Sequence, residues 1–423
     1  MVRTPQPTRR AILAAGPALL LSSGARAASP QTPMRCADFL DTIGVNTHVG
    51  YEQSQYGDLA AIRAALDYLG VRHVRDAAIN RAMPNAGHYR ALAAAGVRFC
   101  LYWGARRPMN EAIGEIAELE GAYPGAAAAL EGPNEIKPDF AYAGALGNLA
   151  AQRFMADMRT AAAANPQLRR KPIVALTTYA RVAVDCDYAN AHPYPKGGAQ
   201  AASLVRTILE RQVGPGGAMP GKPMMFTEFG YHTLVGKPSR PNEWQGVDLE
   251  RHAVLTLSAL FGAAAAGIAR TYVYQLLDGF PDGARGPNME NHFGLFALNG
   301  APKPAAASIR RLFALLADAG PGARNFAPSP IGARIVAAGP VSSLALQNSA
   351  GRRFLALWNQ SPVWNAEAAA PQAVDPIPAT VTLAAPAPLK AYDLIDPDRT
   401  MDLGAGASAR IPVGGRPMLL SVG

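Results

Sequence analysis

Two glutamates stand out because each closes an apolar run. Glu135 ends Leu130-Glu131-Gly132-Pro133-Asn134-Glu135, and Glu228 lies in Met224-Met225-Phe226-Thr227-Glu228-Phe229-Gly230-Tyr231. They are 93 residues apart, the span of about three strand–helix units in a barrel of roughly 250 residues. Two carboxyl groups facing one cleft suit cleavage of a glycosidic bond. One protonates the leaving oxygen, and the other attacks the sugar or activates water. A lone strand-end glutamate is more often an ion-pair partner, so the pairing carries the reading.

The elements that must position them follow from periodicity. Short apolar runs at 42–46, 71–75, 97–102, 126–130, 173–177, 188–192, 223–227 and 269–275 alternate with helix-like stretches. Leu59, Ile62, Leu66 and Leu69 share one helical face. A long apolar helix opens at Leu249, and Ile309, Leu312, Phe313 and Leu316 mark the last one. Eight such units predict an α/β fold, a (β/α)8 barrel over residues 28–320. A doubly wound sheet would want a Gly-rich first turn, which the first strand lacks. After Pro321-Gly322 the helical period stops. Runs at 341–347, 354–358, 380–383, 389–392 and 418–422, separated by Gly, Pro and Asp turns, predict a small β-sandwich over 321–423. The Ala- and Pro-rich stretch 362–378 is expected to be a long loop.

In a barrel the strand ends share one mouth. They hold Asn46 and His48, Arg75 and Asp76, Tyr102 and Trp103, Asn134 and Glu135, Thr178 and Tyr179, His192 and Tyr194, Glu228, and Tyr274 and Gln275. Carboxylates, amides, one arginine and many rings suit a sugar, which needs hydrogen bonds at its hydroxyls and a surface for its apolar faces. Trp103 is expected as a stacking platform, and Tyr179 is expected among the substrate-binding residues. Glu131 reads either as a supporting group or as the buried partner of an arginine.

These motifs in this order resemble a clan A glycoside hydrolase, of the broad group that includes families 5 and 39. The resemblance covers roughly residues 40–320. It implies that Glu135, in Asn134-Glu135, is the acid/base and that Asn134 holds the sugar 2-hydroxyl. It implies that Glu228, in Thr-Glu-Phe-Gly, is the nucleophile. His192-Pro193-Tyr194 matches a His-x-Tyr whose tyrosine touches the nucleophile, and Arg75 matches an arginine that hydrogen-bonds it. Many clan members carry a tryptophan at the end of strand eight. Here Tyr274-Gln275 stands there, and a tyrosine or glutamine is expected to floor the first subsite. The resemblance implies retention of configuration and no metal or organic cofactor.

Composition bounds the rest. Arg9-Arg10, an apolar stretch to Gly24 and Ala25-Arg26-Ala27 read as a twin-arginine-like export signal over 1–27, which places the mature chain in the periplasm or outside the cell. No run is long and apolar enough to predict stable membrane insertion. The formal charge of +9 falls to +5 without the four arginines of that signal. The remaining basic residues are scattered, which argues against a nucleic-acid surface. Three cysteines, Cys36, Cys100 and Cys186, make no disulfide framework, although Cys36 and Cys186 are free to pair. The expected partner is a poly- or oligosaccharide. The alternatives are a transglycosylase using the same residues, a non-catalytic carbohydrate-binding protein, and a structural envelope protein.

Overall fold

The computed structural model describes residues 32–423 except 105–106, 237–241, 285 and 331. The expected export signal lies outside the described residues. Eight parallel strands surround one axis: β1 (Ile43–Asn46), β2 (His73–Ala77), β3 (Arg98–Trp103), β4 (Ala127–Pro133), β5 (Ile173–Val174), β6 (Ala189–Ala191), β7 (Met224–Phe229) and β8 (Arg270–Val273). Each pairs with its sequence neighbour except β5 with β6, and β8 pairs with β1. A parallel bridge between Val174 and Tyr188, with the Ala175 amide donating to the Tyr188 carbonyl at 2.8 Å, closes the gap between β5 and β6. The (β/α)8 barrel is therefore closed.

Seven helices cover it: α1 (Leu59–Leu69), α2 (Gly87–Ala94), α3 (Met109–Ala122), α4 (Gly147–Ala164), α5 (Ala202–Gln212), α6 (Leu249–Ala265) and α7 (Pro304–Leu315). The alternation expected from sequence fails once, because the connection from β5 to β6 contains no helix. A cavity of about 440 Å³ lies there, lined by Tyr179, Val182 and Val184, by Ile208 of α5, and by Glu135.

Two features of β4 set up the site. A Cβ on Gly132 would lie 2.8 Å from the Leu176 backbone nitrogen, so only glycine lets the strand approach β5 this closely. Three residues on, Glu135 takes a left-handed backbone (φ 43°), uncommon for a residue with a side chain.

The longer strands of the C-terminal domain are β9 (Ala333–Ala337), β10 (Val341–Gln347), β11 (Arg353–Asn359), β12 (Ile377–Asp393), β13 (Met401–Val413) and β14 (Met418–Val422). The two runs expected at 380–383 and 389–392 are parts of β12. Its first half pairs with β9, its second half with β14, and β13 follows both. The sheet thus folds over a core of its own, including Leu355, Val381, Ile411 and Leu420. The stretch 362–378 is not all loop: Trp364–Asn365 pairs with Ala370–Pro371. The domain is also not confined to 321–423, because Met34–Arg35 adds a parallel edge to β10. All three cysteines are free and buried, so Cys36 and Cys186 do not pair.

The barrel meets this domain through α6. Phe261 stacks between Phe39 and Trp358, with ring centroids 5.5 and 5.8 Å away. Trp358 is 2% exposed. Trp358→Ala is expected to cost about 3–5 kcal/mol, the range for truncating a buried aromatic, read as a lower urea midpoint.

Candidate active site

The barrel interior is layered. Its floor is apolar, with Cys100, Ala129, Val174, Met225 and Tyr272. Above it lies a polar layer centred on Arg75, which is 1% exposed. Arg75 grips Glu131 through two parallel bonds, Nε to Oε2 at 2.9 Å and Nη2 to Oε1 at 2.8 Å. Nη1 also donates to Asn46 Oδ1 and to Glu228 Oε1, and Nη2 to Asn134 Oδ1 at 2.6 Å. The Tyr102 ring covers the guanidinium at 4.2 Å. Burial alone would weaken the charge of Arg75, but Glu131 and Glu228 outweigh it and hold the guanidinium firmly protonated. The sequence left Glu131 open between two roles, and the structure makes it the arginine's partner.

Glu228 stands above this layer at the end of β7, 7% exposed. A register irregularity between Phe226 and Phe229 lets the adjacent Thr227 and Glu228 both turn towards the axis, as bulges do. Arg75 donates to Oε1 of Glu228 and the Tyr194 hydroxyl to Oε2. Burial pushes this carboxyl up. His192 when it is protonated, the charge of Arg75 and the hydrogen bonds from Tyr194 and Arg75 win, and hold it below the ordinary glutamate range.

Glu135 faces it from just past β4 with its side chain 60% exposed. Its amide donates to Thr177 Oγ1 at 2.8 Å. His192 links the two glutamates: Nδ1 lies 3.2 Å from Glu135 Oε1 and 3.6 Å from Glu228 Oε2. A carboxylate oxygen of Glu135 comes within 4.8 Å of one of Glu228. The same three side chains each offer one atom to a metal ion. Arg75 and Tyr194 already hold both oxygens of Glu228, so a cation there would compete with a guanidinium.

Other expected site residues divide. Tyr274 is half-buried beside Tyr194 and His48, with ring centroids 6.0 and 5.5 Å away. His48 stacks under Tyr51 at 4.5 Å. Burial pushes His48 down to about 4, with Arg75 adding to this and Glu228 opposing it. Tyr179 is exposed and lines the cavity beside Glu135. Three expectations need correction. Trp103 is 1% exposed and packs edge-on against Phe154 of α4, because Cys100 and Tyr102 take the inner face of β3 and alternation sends Trp103 outward. Asn46 spends its amide on the Thr227 and Tyr272 carbonyls and on Arg75. Gln275 is 4% exposed and bonds to Tyr56 and the Glu290 carbonyl. All three support the mouth rather than line it.

The structure adds residues that sequence missed. Tyr51 and Phe280, 47% and 37% exposed, form an open aromatic edge. Glu290 reaches the Tyr274 hydroxyl at 3.2 Å. Burial pushes its carboxyl up, and the charges of Glu228, Glu135 and Glu243 add to this against the Tyr274 bond. Tyr51 and Phe280 sit in loops and Glu290 in a single 3-10 turn, where position is not readable from periodicity.

Asp76 anchors the loop after β1. It accepts from Thr47 Oγ1, from the Val49 and Ala77 amides and from Tyr89. Burial pushes its carboxyl up to about 6 against those bonds. Asp76→Ala strands several buried donors and is expected to cost about 2–4 kcal/mol. Amide exchange should speed up at 47–51, the segment carrying His48 and Tyr51.

No family model and no curated protein matches the chain. Solved structures do. A family 39 glycoside hydrolase from Bacteroides cellulosilyticus WH2 is 13% identical with a TM-score of 0.57, over 92% of this chain and 82% of that one. The GH39 enzyme of Xanthomonas axonopodis pv. citri is 16% identical, TM-score 0.57, over 93% and 95%. A monomeric beta-xylosidase from Caulobacter crescentus CB15 is 15% identical, TM-score 0.57, over 93% and 97%. The chain has the fold of these family 39 glycoside hydrolases. The likeness extends beyond the barrel to the C-terminal β domain, and it agrees with the clan A resemblance read from the motifs.

Proposed function

We propose that this chain is a retaining glycoside hydrolase acting on a poly- or oligosaccharide, with Glu228 as nucleophile and Glu135 as acid/base. One observation carries the reading. Two carboxylates approach within 4.8 Å across the mouth, one buried against Arg75 and Tyr194, the other open to solvent. A spacing of about 5–5.5 Å suits direct attack, whereas inversion needs about 6.5–9.5 Å to admit a water.

In the first step Glu228 attacks the anomeric carbon, and the proton of Glu135 passes to the leaving oxygen. In the second a water oxygen takes the anomeric carbon, its proton returns to Glu135, and Glu228 leaves as a carboxylate. Arg75 and Tyr194 favour the ionised form of Glu228 at both ends of this cycle. Tyr274, Tyr51, Phe280 and Tyr179 offer rings to the sugar, and Asn134 stands beside Glu135 to meet a hydroxyl. The leader read at 1–27 supports export, and with it a substrate met outside the cytoplasm. A binding protein without activity would have no need for an arginine and a tyrosine on one carboxylate.

Glu135→Ala and Glu228→Ala are each expected to lower hydrolysis by at least a thousandfold while thermal unfolding stays cooperative. The assay is a panel of polysaccharides and aryl glycosides that includes β-xylosides, since one structural neighbour is a beta-xylosidase. Wild-type activity in either variant would sink the assignment. Proton NMR of the first-formed sugar should show retained configuration.

The pH profile has a defined sign. Glu228 is held low, so it stays ionised, and active, below the usual glutamate value of about 4.3. Tyr194→Phe removes a donor to the carboxylate, so the acid limb of kcat/KM should move to higher pH, with kcat down about tenfold or more.

A further inference from the structure

We infer that Thr227 is a positioning residue that decides which nitrogen of His192 carries the proton, and so holds the transferable proton on the Glu135 side of the ring. The inference rests on the acid/base role proposed for Glu135.

The argument is a proton count. The Thr227 hydroxyl has one hydrogen and three neighbours at 2.9 Å: Glu131 Oε1, Asn190 Oδ1 and His192 Nε2. Glu131 has no hydrogen to give. Its Oε1 already accepts from Arg75 and from Asn190 Nδ2, and its Oε2 from Arg75. Asn190 is fixed the same way round, because its Nδ2 donates to the Ala175 carbonyl at 3.0 Å and its Oδ1 accepts from the Thr227 amide. Two of the three neighbours can therefore only accept. The hydroxyl hydrogen goes to one of them, and a lone pair faces His192. A hydrogen bond then forms only if Nε2 carries hydrogen.

The consequence lies on the opposite edge of the ring. In the neutral imidazole with Nε2 protonated, Nδ1 is an acceptor, 3.2 Å from Glu135 Oε1. It accepts the hydrogen of a protonated Glu135. The other tautomer would set lone pair against lone pair at Thr227 and offer Nδ1–H to Glu135, which favours a carboxylate that has already lost its proton. The titratable groups facing the ring are Glu135 from the end of β4 and Glu228 from β7. When Glu135 is protonated, its one transferable hydrogen is bonded to Nδ1. It leaves with the aglycone oxygen in the first step, and the attacking water replaces it in the second.

The test compares Thr227→Val, which keeps the shape, with Thr227→Ser, which keeps the hydroxyl. The substrates are glycosyl fluorides, whose leaving group needs no proton, and alkyl or phenyl glycosides of the same sugar, whose leaving groups do. Thr227→Val should raise the ratio of fluoride to alkyl-glycoside kcat/KM at least tenfold, and Thr227→Ser should restore it. A uniform loss on both substrates, or no change on either, overturns the inference. A wild-type protein that turns over neither class overturns the hydrolase reading instead. A separate measurement needs no variant and no substrate. In nitrogen-15 spectra of wild-type protein at neutral pH, His192 should show a protonated Nε2 and an unprotonated Nδ1. The reverse tautomer overturns the inference.

Discussion

The guanidinium of Arg75 is the interaction on which the mouth depends. It reaches Asn46 on β1, Glu131 on β4, Asn134 beyond it and Glu228 on β7, so one side chain fixes three strand ends and the loop after β4. A buried cation with two buried carboxylates is stable only because the geometry is nearly complete. The Glu131 side takes the fork of the guanidinium, and Glu228 is completed by Tyr194. Removing one member of such a set exposes the others to the full cost of desolvation, of the order of 3–5 kcal/mol. The site and the barrel core are therefore one structure, and the Glu228 carboxylate is kept ionised by a buried group that never meets solvent.

Above this anchor the two glutamates differ for reasons of place rather than residue type. Glu228 sits where a strand irregularity turns it inward beside a cation. Glu135 sits just past β4, on a left-handed backbone turn, with water around it. His192 stands between them, and its far nitrogen is tied through Thr227 to the same Glu131 that Arg75 holds. The polar layer thus communicates with both glutamates, by charge on one side and by a directed hydrogen-bond chain on the other.

The barrel was legible because its strands are short apolar runs ending in polar residues, and because the motifs around Glu135, His192 and Glu228 fall at strand spacing. Arg75 and Glu131 were legible as charges inside apolar strands, but their pairing was not, since it joins β2 to β4. Trp103 misled because the last residue of a strand was read as a mouth residue, whereas Cys100 and Tyr102 occupy the inner face of β3 and alternation sends Trp103 outward. Asn46 and Gln275 misled because polar strand-end residues can be consumed by neighbouring carbonyls. The missing helix between β5 and β6 was hidden because 178–188 has no breaker pattern that forbids one. β13 was invisible because Met401–Val413, with its Gly and Ala residues, has no apolar alternation until its end; it is a strand because β12 offers it an edge. Tyr51, Phe280 and Glu290 come from loops, where only the folded chain brings distant residues together.

The two residues at Met34–Arg35 have a consequence for how this molecule can be divided. They lie next to β10, more than 300 residues further along the chain, and Arg35 Nε reaches the Phe326 carbonyl at 2.6 Å. The C-terminal sheet is therefore finished by the segment that leads into the barrel. Neither unit can be cut out at residue 320 with its surface intact: one fragment would carry an orphaned strand and the other a bare edge of unpaired amides and carbonyls, the kind of surface that invites association between chains. A cut that respects the hydrogen bonding would keep Met34–Arg35 with the sheet, making the protein a barrel inserted into a β domain rather than two beads on a string.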